Sequence, residues 1–209
     1  MSIRFLLLTI ACLSFIHPAV QAQKTSLDMQ VLDEMMEHRH EDPVEIYQHI
    51  SNTTNYISML VPASVLATGL VRGDKVTLNK GLYMAETLVA SSLITAGLKE
   101  TFKRNRPFKD HPWIIPASNG GSPSFPSGHT SEAFATATSL TMSYPKWYVA
   151  VPAYAWAASV GYSRMYLGVH YPSDVLAGAL VGAGSAWLMF KMNKWMARKN
   201  NNRQSAIGN

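Results

Sequence analysis

The chain has 209 residues, of which 47 % are apolar and 15 % are charged, and this charged share is well below the usual quarter of a soluble domain. The formal net charge is +5, but the charge is unevenly distributed: residues 24–45 are acidic, and the basic residues gather around residues 99–109 and at the C-terminus. This asymmetry is typical of a membrane topology and argues against nucleic acid as a partner. Cys12 is the only cysteine, so a disulfide within the chain is excluded.

The first 22 residues predict a secretory signal peptide. Arg4 supplies a positive start, residues 5–16 are apolar, and residues 20–22 include the small residues that suit cleavage. The apolar stretch is too short to span a bilayer comfortably. An uncleaved first span is the alternative interpretation of residues 1–22.

Helical patterns follow one another along the rest of the chain. Residues 23–52 predict an acidic amphipathic segment on the periplasmic side, interrupted near Pro43. Residues 53–195 predict the helical core, and residues 196–209 a basic, disordered tail. No stretch predicts a strand, so the expected fold class is all-α, a helical bundle. The core helices are expected over residues 56–71, 81–98, 129–143, 147–162 and 174–195.

The five apolar helices predict an integral membrane protein with five spans, or six if the first segment is retained. Most of their uncharged runs are at or below the roughly 17–25 residues that a span needs, so a soluble helical bundle is the alternative. The charges favour the membrane, because five spans place the basic turns and tail on one side and the acidic segment on the other. Gly178 and Gly182 form a GxxxG pattern, which lets another helix approach closely.

Three short segments carry residue types suited to phosphate chemistry. They run from Lys99 to Pro107, from Pro126 to His129 and from Ser163 to Asp174. Taken alone, each segment also fits a helix end, a helix cap or a structural ion pair. In the five-span arrangement all three fall at helix ends on the same outer side, so we expect them to form one site.

Five of these residues suit an anion. Lys99, Arg106 and Arg164 can together neutralise a phosphate dianion, and guanidinium forks give directional contacts. Ser127 and Gly128 come where a helix starts. Free N–H groups there favour an anion, and glycine lets the backbone approach it.

Three further residues supply reacting groups. His170 and Asp174 are four positions apart, so one helical turn can bring the carboxylate to the imidazole. Such a pair fixes the tautomer and prepares the other ring nitrogen as a nucleophile. His129 is then available to protonate a departing alkoxide.

Together the three segments resemble the signature of the type-2 phosphatidic acid phosphatases. That signature is Lys-x6-Arg-Pro, Pro-Ser-Gly-His and Ser-Arg-x5-His-x3-Asp, and residues 99–174 fill every position in the family's order. The superfamily includes bacterial class A acid phosphatases and vanadium-dependent haloperoxidases. The resemblance implies an α-helical bundle that needs no metal or other cofactor. It also implies His170 as the phosphorylated nucleophile, Asp174 as its orienter, His129 as the acid, and Lys99, Arg106, Ser127, Gly128 and Arg164 as phosphate ligands.

The residues that continue the third segment, up to Gly178, resemble the membrane lipid phosphatases. This likeness implies a lipid phosphate as substrate: phosphatidate, phosphatidylglycerophosphate, a polyprenyl pyrophosphate or a lipid A phosphate. The expected location is the cytoplasmic membrane of a bacterium, with the site facing the periplasm. The alternatives are a soluble periplasmic acid phosphatase, a vanadium-dependent haloperoxidase and a non-enzymatic lipid-binding subunit.

Glu86 is an ionisable residue inside an apolar helix, which is often a functional hint. It precedes Lys99 by 13 residues, about 20 Å along a helix. We therefore expect Glu86 near the opposite membrane interface, where it snorkels or joins a helix–helix contact.

Overall fold

A computed structural model of the chain describes residues 27–40 and 42–207. Within these residues there are seven helices and no strand, which confirms the all-α class. The predicted signal segment lies outside the described residues. The helices are α1 (Leu27–Glu37), α2 (Asp42–Arg72), α3 (Lys75–Phe102), α4 (Pro107–Asp110), α5 (Gly128–Ser143), α6 (Trp147–Tyr166) and α7 (Pro172–Ile207).

Helix α2 is continuous over 31 residues, about 46 Å at 1.5 Å per residue. Pro43 lies in its first turn, where a missing N–H costs the helix nothing. The boundary predicted between residues 52 and 53 therefore falls within one helix. The polar residues there are part of the helix, and the Thr53 hydroxyl donates to the Ile50 carbonyl of the preceding turn at 2.6 Å.

A tight turn at Gly73 and Asp74 reverses the chain between α2 and α3. Gly73 has a φ of 62°, which glycine adopts without the penalty of a Cβ. Asp74 caps α3, because its carboxylate accepts from the Val76 N–H at 2.9 Å and from the Thr77 hydroxyl at 2.5 Å. The turn makes α2 and α3 an antiparallel pair.

Helix α5 packs against α2, α3, α6 and α7. A Cβ added to Gly178 would lie 2.6 Å from the Ser127 carbonyl oxygen, and one on Gly182 would lie 2.2 Å from the Ser131 carbonyl oxygen. The close approach predicted from the GxxxG pattern is thus confirmed. This contact brings the start of α7, with Asp174, against the start of α5.

Among the described residues, three helical stretches have the length and apolar composition of a membrane span: Pro43–Arg72, Lys75–Asp110 and Pro172–Lys199. Helix α5 has only 16 residues, about 24 Å, which is less than the roughly 30 Å of a hydrocarbon core. The three long apolar stretches make the chain a membrane protein. The total of five or six spans stays a prediction. Several apolar side chains of the three stretches are exposed, among them Met59, Leu60, Leu93 and Leu180.

The basic turns lie at the end of the bundle opposite the three motifs. Lys80 lies 4.2 Å from the centroid of the Tyr144 ring, joining the start of α3 to the turn after α5. Asn193 on α7 donates to the Glu86 carboxylate at 2.8 Å. The helix–helix contact expected for Glu86 is confirmed. Helix α7 continues to Ile207, where the sequence predicted a disordered tail.

Candidate active site

All three motifs meet at one end of the bundle because of how the helices end. Helix α3 ends at Phe102, and Lys103 adopts a left-handed conformation with φ 45°, which turns the chain back across the bundle. Arg106 is extended, as a residue before proline should be, and Pro107 then begins α4. Gly168, with φ 69°, makes the corresponding turn between α6 and α7.

His170 lies in that second turn and is buried, with 1 % of its surface exposed. Its Nδ1 is 3.5 Å from Asp174 Oδ2, as the four-residue spacing predicts. Its Nε2 lies 3.2 Å from Arg106 Nη1. One ring nitrogen therefore faces a carboxylate, and the other faces a cation suited to phosphate.

Burial lowers the pKa of His170 to about 3, although the Asp174 carboxylate partly opposes that shift. The imidazole is accordingly neutral at pH 7. With its proton on Nδ1, towards Asp174, the lone pair of Nε2 faces the site. We assign this tautomer because Nδ1 lies beside a carboxylate, which accepts a proton, and Nε2 lies beside an arginine N–H, which donates one.

Asp174 is held by more groups than the sequence indicates. Its Oδ2 accepts from the Ser124 hydroxyl at 2.5 Å and from the Tyr171 N–H at 2.9 Å. Its Oδ1 accepts from Arg104 Nη1 at 2.8 Å. Because both oxygens are engaged, the carboxylate is fixed towards His170.

Arg104 also ties Asp174 to the N-terminal helix. Its Nη2 donates to Asp28 Oδ2 at 2.7 Å, and its guanidinium lies 3.9 Å from the centroid of the Tyr171 ring. Asp28 also accepts from the Ser173 N–H at 2.9 Å and from the Ser173 hydroxyl at 2.5 Å. A carboxylate of α1 thus caps the first turn of α7.

Arg104, Ser124 and Asp28 were not among the residues predicted for the site. Arg104 is one of the unspecified residues between Lys99 and Arg106 in the first motif. Its positive charge could have indicated that it belongs to the site. Ser124 lies in an irregular loop, and Asp28 is 145 residues from Ser173, so no local pattern points to either.

Two predicted phosphate ligands are buried guanidinium groups, Arg106 and Arg164, with 5 % and 2 % of their surfaces exposed. Neither forms an ion pair with a carboxylate in the described part of the chain. Arg106 donates to the carbonyls of Ser122 at 2.9 Å and Val169 at 3.0 Å. Buried cations without an anionic partner are costly, so this arrangement favours a bound anion.

Arg164 and Lys99 approach the site from two further helices. Arg164 Nη1 donates to the Ser51 hydroxyl at 2.5 Å and lies 3.4 Å from Ser118 Oγ. Its Nε is buried and has no hydrogen-bond partner among the residues that the structure describes, which leaves a donor available to a ligand. The Lys99 ammonium donates to the carbonyl of Pro123, the residue before Ser124.

The second motif begins α5. The Ser127 N–H donates to the Asp174 carbonyl at 2.9 Å, and its hydroxyl accepts from Thr130, so Ser127 does not cap the helix with its side chain. A Cβ on Gly128 would meet no atom within 4 Å, so the space before the helix is open to an anion. His129 is half-buried and lines a cavity of about 680 Å³.

The structure thus unites the predicted residues. His170, Asp174 and Arg106 form a connected cluster, and Ser127 is bonded to Asp174 through its backbone. Together with the three apolar helical stretches, these features define a membrane helical bundle with a buried histidine–carboxylate pair beside buried arginine side chains. The chain belongs to the PAP2 superfamily, whose model matches residues 80–198.

Relatives of known activity match only parts of the chain. A lipid A 4'-phosphatase of Bacteroides thetaiotaomicron is 36 % identical over 40 % of this chain and 37 % of its own length. A lipid A 1-phosphatase of Porphyromonas gingivalis is 30 % identical over 75 % of this chain and 33 % of its own length. An undecaprenyl-diphosphatase of Sulfolobus acidocaldarius is 37 % identical over 50 % of this chain and 51 % of its own length. The chain therefore spans about a third to a half of these relatives.

Two solved structures share the fold over most of the chain. The transmembrane PAP2 type phosphatidylglycerolphosphate phosphatase of Bacillus subtilis has a TM-score of 0.67 and 26 % identity, and the match covers 91 % of this chain and 94 % of that one. Aquifex aeolicus LpxE has a TM-score of 0.71 and 23 % identity, with 81 % and 98 % covered. The second likeness shows the fold alone.

Proposed function

We propose that the chain is a metal-independent phosphatase that hydrolyses lipid phosphates through a phosphohistidine at His170. The observation that carries the proposal is the placement of His170 between Asp174 and Arg106. Nδ1 lies 3.5 Å from the carboxylate and Nε2 lies 3.2 Å from the guanidinium. A neutral imidazole held in this way presents a lone pair where a phosphorus atom would be bound.

In the first step the phosphate dianion is held by Arg106, Arg164 and Lys99, whose charges stabilise the negative charge of the transition state. The Nε2 lone pair of His170 attacks phosphorus, and the bond to the ester oxygen breaks. Burial and the positive charges of Arg164, Arg106 and Lys99 lower the pKa of His129 to about 4. A bound phosphate dianion offsets those charges and raises the pKa of His129 again, so that the imidazolium donates its proton to the departing alkoxide. Asp174 stabilises the positive charge that develops on the ring of His170.

In the second step water hydrolyses the phosphohistidine. His129, now neutral, accepts a proton as the water oxygen attacks phosphorus. The N–P bond breaks, its electron pair returns to His170 Nε2, and inorganic phosphate is released. The enzyme is then restored with no net change in protonation.

A lipid substrate is supported by the apolar helices and by the relatives, which are named as lipid A phosphatases and undecaprenyl-diphosphatases. The membrane setting favours this class over the soluble acid phosphatases. The cytoplasmic membrane, with the site facing the periplasm, is the location that the charge distribution supports. The basic turns at the other end of the bundle then face the cytoplasm.

The test is phosphate release by the detergent-purified protein in EDTA. We expect release from a lipid phosphate to fall by about 10³-fold or more in His170→Ala. Release should persist in His38→Ala, because the exposed ring of His38 contacts the Glu34 carbonyl and lies outside the motifs. Brief exposure to ³²P-labelled substrate should label the wild type with acid-labile phosphate, and His170→Ala should remain unlabelled. Loss of release in EDTA, or equal release by His170→Ala, would refute the proposal.

A further inference from the structure

The cavity beside His129 lies between α2 and the loop that joins the first two motifs. Its volume of about 680 Å³ falls within the roughly 300–1,000 Å³ of small-molecule sites. Apart from His129, its polar lining consists of the amides of Gln48, Asn52 and Asn119 and the hydroxyl of Ser118. None of its lining residues is Asp, Glu, Lys or Arg.

This cavity adjoins the anion site. Ser118 lines the cavity, and its hydroxyl lies 3.4 Å from Arg164 Nη1. Gln48 Nε2 donates to the Ala117 carbonyl at 2.6 Å, which fixes the loop against α2. A ligand whose phosphate lies at Arg164 and His129 would therefore place the group next to that phosphate in the cavity.

The face of α2 that lines the cavity through Asn52 becomes apolar further along the helix. Tyr56, Met59 and Leu60 follow Asn52 by four, seven and eight positions, so they share its face. Their side chains are 68 %, 72 % and 64 % exposed. An amphiphile lying along this face would have its polar end at Asn52 and its apolar chains against the three large side chains.

We propose that the cavity binds the hydroxyl-rich head group of a phosphorylated glycolipid, with the lipid chains along this face of α2. The inference rests on the proposed phosphatase activity and selects among its lipid substrates. Amide side chains both donate and accept hydrogen bonds, as sugar hydroxyls do. In a polyprenyl diphosphate the group next to the reacting phosphate is a second phosphate, and its negative charge would enter a cavity whose lining contains no Lys or Arg, which is costly.

The test compares kcat/KM for four lipids in mixed micelles: a phosphorylated glycolipid, phosphatidylglycerophosphate, phosphatidate and undecaprenyl diphosphate. The variants are Asn52→Leu, which removes the amide from the cavity, and Asn55→Leu. Asn55 is exposed on α2 but does not line the cavity. Each preparation is judged by the ratio of its kcat/KM values for two lipids. A loss of folded protein lowers both values by the same factor and leaves the ratio unchanged.

We expect the wild type to prefer the glycolipid to undecaprenyl diphosphate by at least tenfold. Loss of one or two hydrogen bonds in Asn52→Leu should reduce that preference by about tenfold, and Asn55→Leu should retain it. Equal or greater activity on undecaprenyl diphosphate, or a glycolipid preference that Asn52→Leu leaves intact, would overturn the inference. A preference for phosphatidylglycerophosphate would also overturn it, since one glycerol hydroxyl would then suffice. Release from none of the four lipids would instead refute the proposed function.

Discussion

Arg104 is shared by two carboxylates, and this sharing links α1 to His170, the proposed nucleophile. Its two terminal nitrogens bond to Asp174 and to Asp28 at 2.8 and 2.7 Å. Asp174 in turn faces His170. If His170 is the nucleophile that we propose, Asp28 is a positioning residue, because it holds the guanidinium that holds Asp174.

Asp28→Asn tests this role, because it keeps the shape and an acceptor for the Ser173 N–H but removes the charge that faces Arg104. We expect kcat to fall about tenfold, in keeping with the loss of roughly 1.5 kcal/mol from a charged hydrogen bond, with KM nearly unchanged. Asp33→Asn is the matched control, since Asp33 lies on the same helix and bonds to Trp113 instead. An unchanged kcat in Asp28→Asn would show that α1 does not position the site.

His129 is assigned a proton-transfer role, and that role depends on the leaving group. A lipid alkoxide needs a proton as it departs, whereas p-nitrophenolate does not. In His129→Ala we expect hydrolysis of a lipid phosphate to fall by roughly 10²–10⁴-fold, and the first step with p-nitrophenyl phosphate to fall much less. Rapid-quench measurement of phosphoenzyme formation separates that step from the second. Equal losses on both substrates would contradict general-acid catalysis by His129.

At the scale of helices, the contact between α5 and α7 aligns the second and third motifs. Gly178 and Gly182 lie so close to the backbone of α5 that a Cβ would reach 2.6 and 2.2 Å from carbonyl oxygens. The Ser127 N–H, at the start of α5, donates to the Asp174 carbonyl, at the start of α7. Helix packing thus sets the distance between the start of α5, where we propose that phosphate binds, and the Asp174 carboxylate beside His170.

Gly182→Ala should destabilise this contact by about 1–3 kcal/mol, because overpacking separates the helices. Gly184→Ala on the same helix is the matched control, since its Cβ would meet no atom within 4 Å. The control should be neutral or slightly stabilising, because alanine favours a helix. Thermal unfolding in detergent measures both. Equal Tm values for the two variants would show that α7 is not tightly packed against α5 at Gly182.

The sequence predicted that His170, Asp174 and Arg106 lie together, but it did not predict the contacts that hold Asp174. The GxxxG pattern is local, so its consequence could be inferred from helix geometry. The four-residue spacing of His170 and Asp174 also predicted their proximity, but His170 precedes α7, and the turn before that helix brings the imidazole to the carboxylate. Ser124 and Asp28 act only after distant segments meet, and no periodicity reports such contacts. The boundary expected between residues 52 and 53 reflected a change of composition, which a continuous helix such as α2 accommodates.

At the scale of the whole molecule, the bundle has two chemically distinct ends. One end carries the site, and the other carries Lys80 and the turn at Lys146. Positive residues of short loops favour the cytoplasmic side. The predicted orientation therefore places the exposed α4 residue Lys109 outside and Lys146 inside.

Cysteine labelling tests this orientation. In a Cys12→Ser background, Lys109→Cys should react with a membrane-impermeant maleimide in spheroplasts, and Lys146→Cys should react only after the membrane is permeabilised. Both positions are exposed, so access to the reagent alone separates them. The reverse pattern would place the site on the cytoplasmic side, and labelling of both in spheroplasts would contradict a spanning bundle.

The capping of α7 by Asp28 also bears on how the protein should be produced. Asp28 is the second residue of α1, so in a chain cleaved after the predicted signal segment a tag at the N-terminus would lie within a few residues of the contact between Asp28 and Arg104. The far end of α7 is about 54 Å away along a helix of 36 residues. A tag placed there leaves the site undisturbed. Inactivity of an N-terminally tagged preparation would therefore not show that the untagged protein is inactive.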